Sequence, residues 1–205
     1  MLEKIENALN ELKKNEKRNF VQTVDLIVSL KGIDLKKSES KFSEELLLPH
    51  GRGKEAKVAV FSDNIKNLDC DILTTADIQR YATDKREAKN LGKGTDFFLA
   101  EAPLMPIIGK SLGQVLAPRG KMPKVIIGDV KNLVENYKKS VRVAVKNSPV
   151  IQCFVGREDM DNRKIAENVE AVMKFLETKL PRGRQNIGTI LLKLTMSKPV
   201  KVELS

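Results

Sequence analysis

The sequence predicts a mixed α/β protein: an α+β domain assembled from both ends of the chain, interrupted by a small doubly wound α/β domain. Three observations predict it. Toward both ends, apolar residues alternate at period two, the pattern of a half-buried antiparallel sheet. Between about residues 57 and 140, short apolar strands alternate with helical segments, the pattern of parallel βαβ units. At LPHGRGK (48–54) and again near Ser140 the pattern changes, so the chain crosses between domains twice.

In order along the chain, Leu2, Ile5, Leu9 and Leu12 fall at helical spacing and predict an amphipathic helix over 2–16. Val24, Leu26, Val28 and Leu30 alternate and predict a strand, ended by Lys31-Gly32; residues 44–48 give a second strand closed by Pro49. Residues 57–61 (KVAVF) begin the middle region. A polar helix is expected from Asn64, a short strand at 71–73, a charged helix over 76–90 and a strand at 96–100. A helix over 103–116 is expected to carry Pro103 in its first turn, and a further helix covers 129–139. Strands return at 141–145 and 150–155. Asp161 is placed to cap a long helix to Leu180 with the apolar stripe Ile165, Val169, Val172, Met173, Leu176. Pro181-Arg182-Gly183 ends it, and residues 189–195 and 200–203 read as closing strands.

Charge narrows the partner. Thirty-seven basic residues against 27 acidic ones give a formal net charge of +10, which favours an acidic partner, nucleic acid first. No run of 18 apolar residues occurs, and the N-terminus has no continuous apolar segment of a leader, so a cytoplasmic protein without a membrane partner is expected. Cys70 and Cys153 show no metal-type or redox-type spacing, which fits a reducing compartment.

Motifs for catalysis are sparse. HGRGK (50–54) resembles a phosphate loop in composition, but Glu55 follows the lysine and a strand, not a helix, comes next. Gly51 and Gly53 therefore read as turn residues where the chain changes domain; with Ser140 they form the expected hinge. Gly92-Lys93-Gly94 reads as a turn. No GxGxxG follows VAVF, His50 is the sole histidine, and Asp69 and Asp71 around Cys70 read as surface acids. No cofactor, metal or enzymatic activity is expected. A nucleotide-dependent enzyme and a DNA-binding regulator are the competing classes; the second lacks helix-turn-helix and zinc spacing. Phe20, beside Arg18 and Asn19, has two roles open to it: stacking a base, or stapling the first helix to the core. Thr195 and Met196 end a strand whose continuation Pro199 limits, so a turn there exposes backbone groups to a ligand or merely turns.

Four stretches, RNF (18–20), LLLPHGRGKEAKVAV (46–60), LAPRGKMPK (116–124) and LTM (194–196), together resemble the archaeal branch of the ribosomal protein L-one family over essentially the whole length. The resemblance implies a split α+β domain (1–56 with 141–205) carrying an inserted Rossmann-like, three-layer α/β domain (57–140). It implies a large-subunit constituent that binds rRNA and forms the mobile stalk beside the tRNA exit site. Such a protein helps deacylated exit-site tRNA leave and represses translation of its own mRNA. It is expected to be a monomer off the ribosome. The family's recognition positions fall on Asn19, Phe20, Thr23, Asp25, Thr195, Met196 and Ser197, where Ser197 replaces a usual glycine and Asp25 a longer glutamate. Arg18 flanks them, and Lys146, Lys193 and Lys198 supply a basic rim. Pro118 and Pro123 brace the LAPRGKMPK loop, in which Ala117 replaces a glycine. The loop leaves Arg119, Lys121 and Lys124 for a secondary RNA or tRNA contact.

Overall fold

A computed structural model describes residues 1–14, 18–35, 40–65 and 68–202. Contacts divide the chain into two compact units, Met1–Glu55 with Lys139–Ser205, and Ala56–Lys138. In chain order the elements are α1 (Leu2–Lys13), β1 (Thr23–Leu30), β2 (Phe42–Leu47), β3 (Val58–Phe61), β4 (Asp71–Leu73), α2 (Thr75–Thr83), α3 (Lys85–Gly94) and β5 (Phe97–Ala100). They continue with α4 (Met105–Leu116), β6 (Lys124–Val125), α5 (Val130–Lys139), β7 (Ser140–Val145), β8 (Val150–Arg157), α6 (Asn162–Lys179), β9 (Ile187–Leu194) and β10 (Val200–Val202).

The first unit is built on an antiparallel sheet of order β10-β9-β1-β8, with a separate β2-β7 pair. Alternation in β1 turns Val24, Leu26, Val28 and Leu30 inward, where they meet Ile5, Leu9 and Leu12 of α1 and Ile165, Val169, Val172 and Leu176 of α6. Each such aliphatic side chain contributes about 1.5–3 kcal/mol by leaving water. Asp161 caps α6 by accepting the Arg163 N–H. Between β1 and β8 the register jumps from Val24↔Gly156 to Asp25↔Phe154, so Val155 is an extra residue. Such a bulge re-aims the strand, here setting Asp25 beside Phe154.

One polar residue lies deep in this core. Asn168 of α6 is fully buried; its Nδ2 donates to Gly51 O (2.8 Å) and Val155 O (2.8 Å), and its Oδ1 accepts the His50 N–H (3.1 Å). It thereby pins the segment after β2 to both α6 and β8.

The second unit is a parallel sheet of order β4-β3-β5-β6. Its strands are buried on both sides. Ala59, Phe61, Phe98 and Ala100 face Ile78, Ile108, Leu112 and Leu116 of α2 and α4, while Val58, Val60, Phe97 and Leu99 face Val134 of α5. Helices thus cover both faces of the sheet, making three layers.

Several expectations need correction. No helix begins at Asn64: the Asn64 and Ile65 N–H groups donate to Ser62 Oγ (3.1 and 2.8 Å), a local turn competing with helix; residues 66–67 lie outside the described set. The helix expected over 76–90 is two helices, broken because Asp84 turns extended (ψ 94°) and caps α3 through Arg86 N and Glu87 N. Gly92 and Gly94 belong to the last turn of α3 and do not form a separate turn. Pro103 lies in a 3₁₀ turn (Ala102–Leu104), and Pro106 opens α4. The described part of α1 ends at Lys13; residues 15 and 16 of the expected helix, and Glu203 of the last strand, lie outside the described residues.

Replacing Asn168 by alanine takes the partner from two buried backbone carbonyls and one part-buried N–H, so a loss of about 2–5 kcal/mol is expected. Urea unfolding followed by far-ultraviolet circular dichroism checks it. A midpoint within error of the parent's contradicts the pinning role.

Candidate nucleic-acid interface

The site grows out of the Thr23 end of β1. Thr23 and Thr195 meet through their hydroxyls (2.7 Å), and the Thr195 N–H donates to Thr23 O (3.2 Å). These residues are 172 apart in sequence; pairing of β1 with β9, Val24 opposite Leu194 and Asp25 opposite Lys193, brings them together. The turn after β9 closes when the Ser197 N–H donates to Leu194 O (3.0 Å), and the Ser197 hydroxyl accepts the Leu194 N–H (3.0 Å). Serine at 197 therefore supplies an acceptor that a glycine there would lack.

Beneath the turn lies Gln22, only 3 % exposed. Its Oε1 accepts the Met196 N–H (3.1 Å), while its backbone exchanges bonds with Glu158, O from Glu158 N–H (2.9 Å) and N–H to Oε2 (3.3 Å). Gln22 so fixes the Thr195-Met196 turn to the segment after β8. With that turn held from below, Met196 is 63 % and Phe20 55 % exposed. Phe20 is thus no staple to the core. With Arg18, Asn19, Val21, Lys13, Glu158 and Asp159 it lines an open cleft of about 640 Å³.

Asp25 lies on the same face of the sheet as Thr23, two positions along β1, between Lys193 on β9 and Phe154 on β8. Half-burial pushes its carboxyl above the usual carboxylate range, and the Lys193 charge works in the opposite direction. The Arg52 guanidinium sits 3.9 Å from the centroid of the Phe154 ring, a cation–π contact with the acid's neighbour on β8. Behind the sheet, burial holds the Cys153 thiol protonated, pushed up to about 12. Exposed aromatic and thioether surface, two hydroxyls, a carboxylate and cations can stack a base, bond to 2′-hydroxyls and base edges, and hold phosphates.

Arg18, Asn19, Phe20, Thr23, Asp25, Lys193, Thr195, Met196, Ser197 and Lys198 all belong to this end of the sheet. Lys146 does not: it sits in the β7–β8 turn, before Val150, which pairs with Ser29, about 20 Å along the strands from Thr23. Gly51 and Gly53 do adopt left-handed backbone (φ 64° and 76°), but each packs within the first unit. A Cβ at Gly53 would stand 2.8 Å from Met160 Sδ and 3.0 Å from Arg157 Cγ. Ser140 is a buried residue of β7 opposite Leu47.

In HGRGK, Gly51 O accepts from Asn168, His50 Nε2 pairs with Glu167, and the next element is the strand β3. The LAPRGKMPK loop also reads differently. Arg119 Nη1 donates to Lys89 O (3.0 Å), and Lys121 Nζ to Gly92 O (3.1 Å) and Thr95 O (2.5 Å), so both cations cap the carbonyl end of α3. Ala117 holds ordinary helical backbone (φ −62°), so no glycine is needed there, while Gly120 (φ 66°) makes the turn and Lys124 opens the edge strand β6.

Sequence reasoning missed Gln22, Glu158 and Arg52. A signal existed for Gln22: it falls in the inward phase of Val24, Leu26 and Val28, where a polar residue needs a buried partner. Among the described residues, no group of three or more His, Cys, Asp or Glu could hold a metal, and no helix is long and apolar enough to cross a membrane.

Comparison with known proteins gives a consistent picture. The profile of the ribosomal protein L1p/L10e family matches residues 12–198. The chain is 45 % identical to "Large ribosomal subunit protein uL1" of Thermococcus kodakarensis, over 98 % of this chain and 97 % of that one. The same-named protein of Pyrococcus abyssi is 45 % identical (98 % and 96 % covered), and that of Methanobrevibacter smithii 38 % (98 % and 100 %).

The raised Asp25 carboxyl has a definite sign. Because its folded value lies above the unfolded one, the ionised side chain destabilises the fold at neutral pH, and that cost fades as pH falls through the usual carboxylate range. Asp25→Asn is therefore expected to melt higher than the parent at pH 7 and with it near pH 3. Thermal melts at the two values test this, and a lower melting temperature at pH 7 contradicts it.

Proposed function

The chain belongs to the ribosomal protein L1p/L10e family, and from that membership we propose that it is a structural constituent of the large ribosomal subunit that grips folded rRNA by the Thr23 end of its antiparallel sheet. The observation that carries the reading is the convergence of exposed Phe20 and Met196, the Thr23–Thr195 hydroxyl pair and half-buried Asp25 at one end of β1. Phe20 stacks on an unpaired base, Thr23 and Thr195 bond to 2′-hydroxyls, and the Asp25 carboxylate accepts from a base edge. Lys193 and Lys198 neutralise phosphates. Asp25, costly to the free protein, is explained by this use.

In this reading the unit made of both chain ends is the RNA-binding domain, and the unit at 56–138 is the inserted domain. The complex forms the mobile stalk beside the exit site in the cytoplasm and assists release of deacylated tRNA. The same surface, meeting a similar fold in the protein's own mRNA, represses its translation. Off the ribosome the chain is a monomer.

Binding to a large-subunit stalk RNA and to a scrambled hairpin, at two salt concentrations, tests the reading. The stalk RNA is expected to bind far tighter, keeping its advantage at high salt; equal affinities overturn it. In the folded protein, Thr195→Val and Phe20→Ala are each expected to lose about 1–3 kcal/mol of stalk-RNA binding. A chain joining residues 1–55 to 139–205 is expected to keep most of the parent's affinity. Loss of binding by that folded chain would assign the inserted unit a required part.

A further inference from the structure

The second unit carries a charge arrangement that its own stability does not explain. The exposed side of α3 presents Lys85, Arg86, Lys89 and Lys93, none of which forms an ion pair among the described residues. Lys85, Lys89 and Lys93 recur at every fourth position, a stripe spanning about 12 Å of helix. The one acid of the helix, Glu87, is held by Arg80 of α2 (2.8 Å) and does not neutralise them. Lys85 and Arg86 also occupy the first turn, where a cation opposes the helix dipole and is mildly destabilising. At the other end of the helix, Arg119 reaches Lys89 O and stands against Gly92.

We infer that the exposed side of α3 is a second interaction surface, one that takes the phosphate backbone of RNA without reading its sequence. The stripe offers cations at regular spacing; of the acids beside it, Asp84 accepts from the Arg86 and Glu87 N–H groups at the helix N-cap and Glu87 is held by Arg80. It does not offer a large apolar side chain: the outward positions beside the cations are Asn90 and Gly94, while Ala88 and Gly92 face the core. A membrane surface needs an apolar face to insert, and a peptide groove needs apolar anchors. A polyphosphate strand needs neither, since release of its counterions drives association. The secondary contact expected of the LAPRGKMPK loop thus passes to α3, which Arg119 and Lys121 of that loop buttress. The inference rests on the RNA-binding reading for its choice of polyanion.

The test uses the full chain and a random-sequence RNA duplex lacking any stalk fold, titrated between 50 and 200 mM KCl. The variant Lys85→Gln/Arg86→Gln/Lys89→Gln/Lys93→Gln is compared with a charge-matched control, Lys110→Gln/Lys131→Gln/Lys164→Gln/Arg182→Gln. Removing the stripe is expected to weaken duplex binding on the order of 10- to 100-fold and to flatten the slope of log K on log salt by about 3, with the control near the parent. Duplex binding like the parent's, equal losses in both variants, or anionic vesicles bound through the stripe more tightly than RNA would each overturn it. Should the fourfold variant fold poorly, Lys89→Glu alone is expected to lose at least a few-fold, and no loss counts against the surface. Phe20→Ala separates the two readings: it should lose stalk-RNA specificity and keep duplex binding.

Discussion

The antiparallel pairing of β1 with β9 is the constraint on which the rest of the first unit depends. It sets Asp25 opposite Lys193 and brings Thr23 to Thr195 across 172 residues of chain. Because side chains alternate along a strand, a slip of one residue would turn Thr23 and Asp25 into the core and Val24 and Leu26 into water. The hydrophobic residues beneath the sheet therefore determine which polar residues stand above it. Packing of Val24, Leu26 and Val28 on α1 and α6 is in this sense also the positioning of the site. Gln22 extends the same logic past the end of the strand, holding the Met196 turn from below.

The site is costly to the isolated protein. A half-buried carboxylate, an exposed phenyl ring and an exposed thioether each find only a partial partner within the fold. Cations in the first turn of α3 oppose its dipole in the same way. Both arrangements make sense for groups whose partners lie on another molecule. By contrast, Asn168, deep in the structure, has its partners within it, three backbone groups.

Much of this was legible in the residues because its signals were local. The period-two run of β1, the stripe of α6 and the Asp161 cap are read within one window of sequence. Thr23 and Asp25 came from family resemblance alone, whereas Phe20 beside Arg18 and Asn19, and the strand-end turn at Thr195-Met196, were already open as ligand contacts from the residues themselves. What was not legible depended on contacts between distant segments. The break at Asp84 was hidden inside a continuous charged pattern, and Arg119 and Lys121 looked free because the carbonyls they reach lie about thirty residues earlier. Lys146 looked like part of the rim until strand register put it at the far end of the sheet.

The central claim is that the Thr23 end of the sheet is the RNA-gripping surface. Ultraviolet crosslinking in cells, with the crosslinked peptides identified by mass spectrometry, tests it most directly. The account predicts large-subunit rRNA joined chiefly to peptides holding residues 18–25 and 193–198. Crosslinks confined to other segments, with those two peptides unmodified, would contradict it.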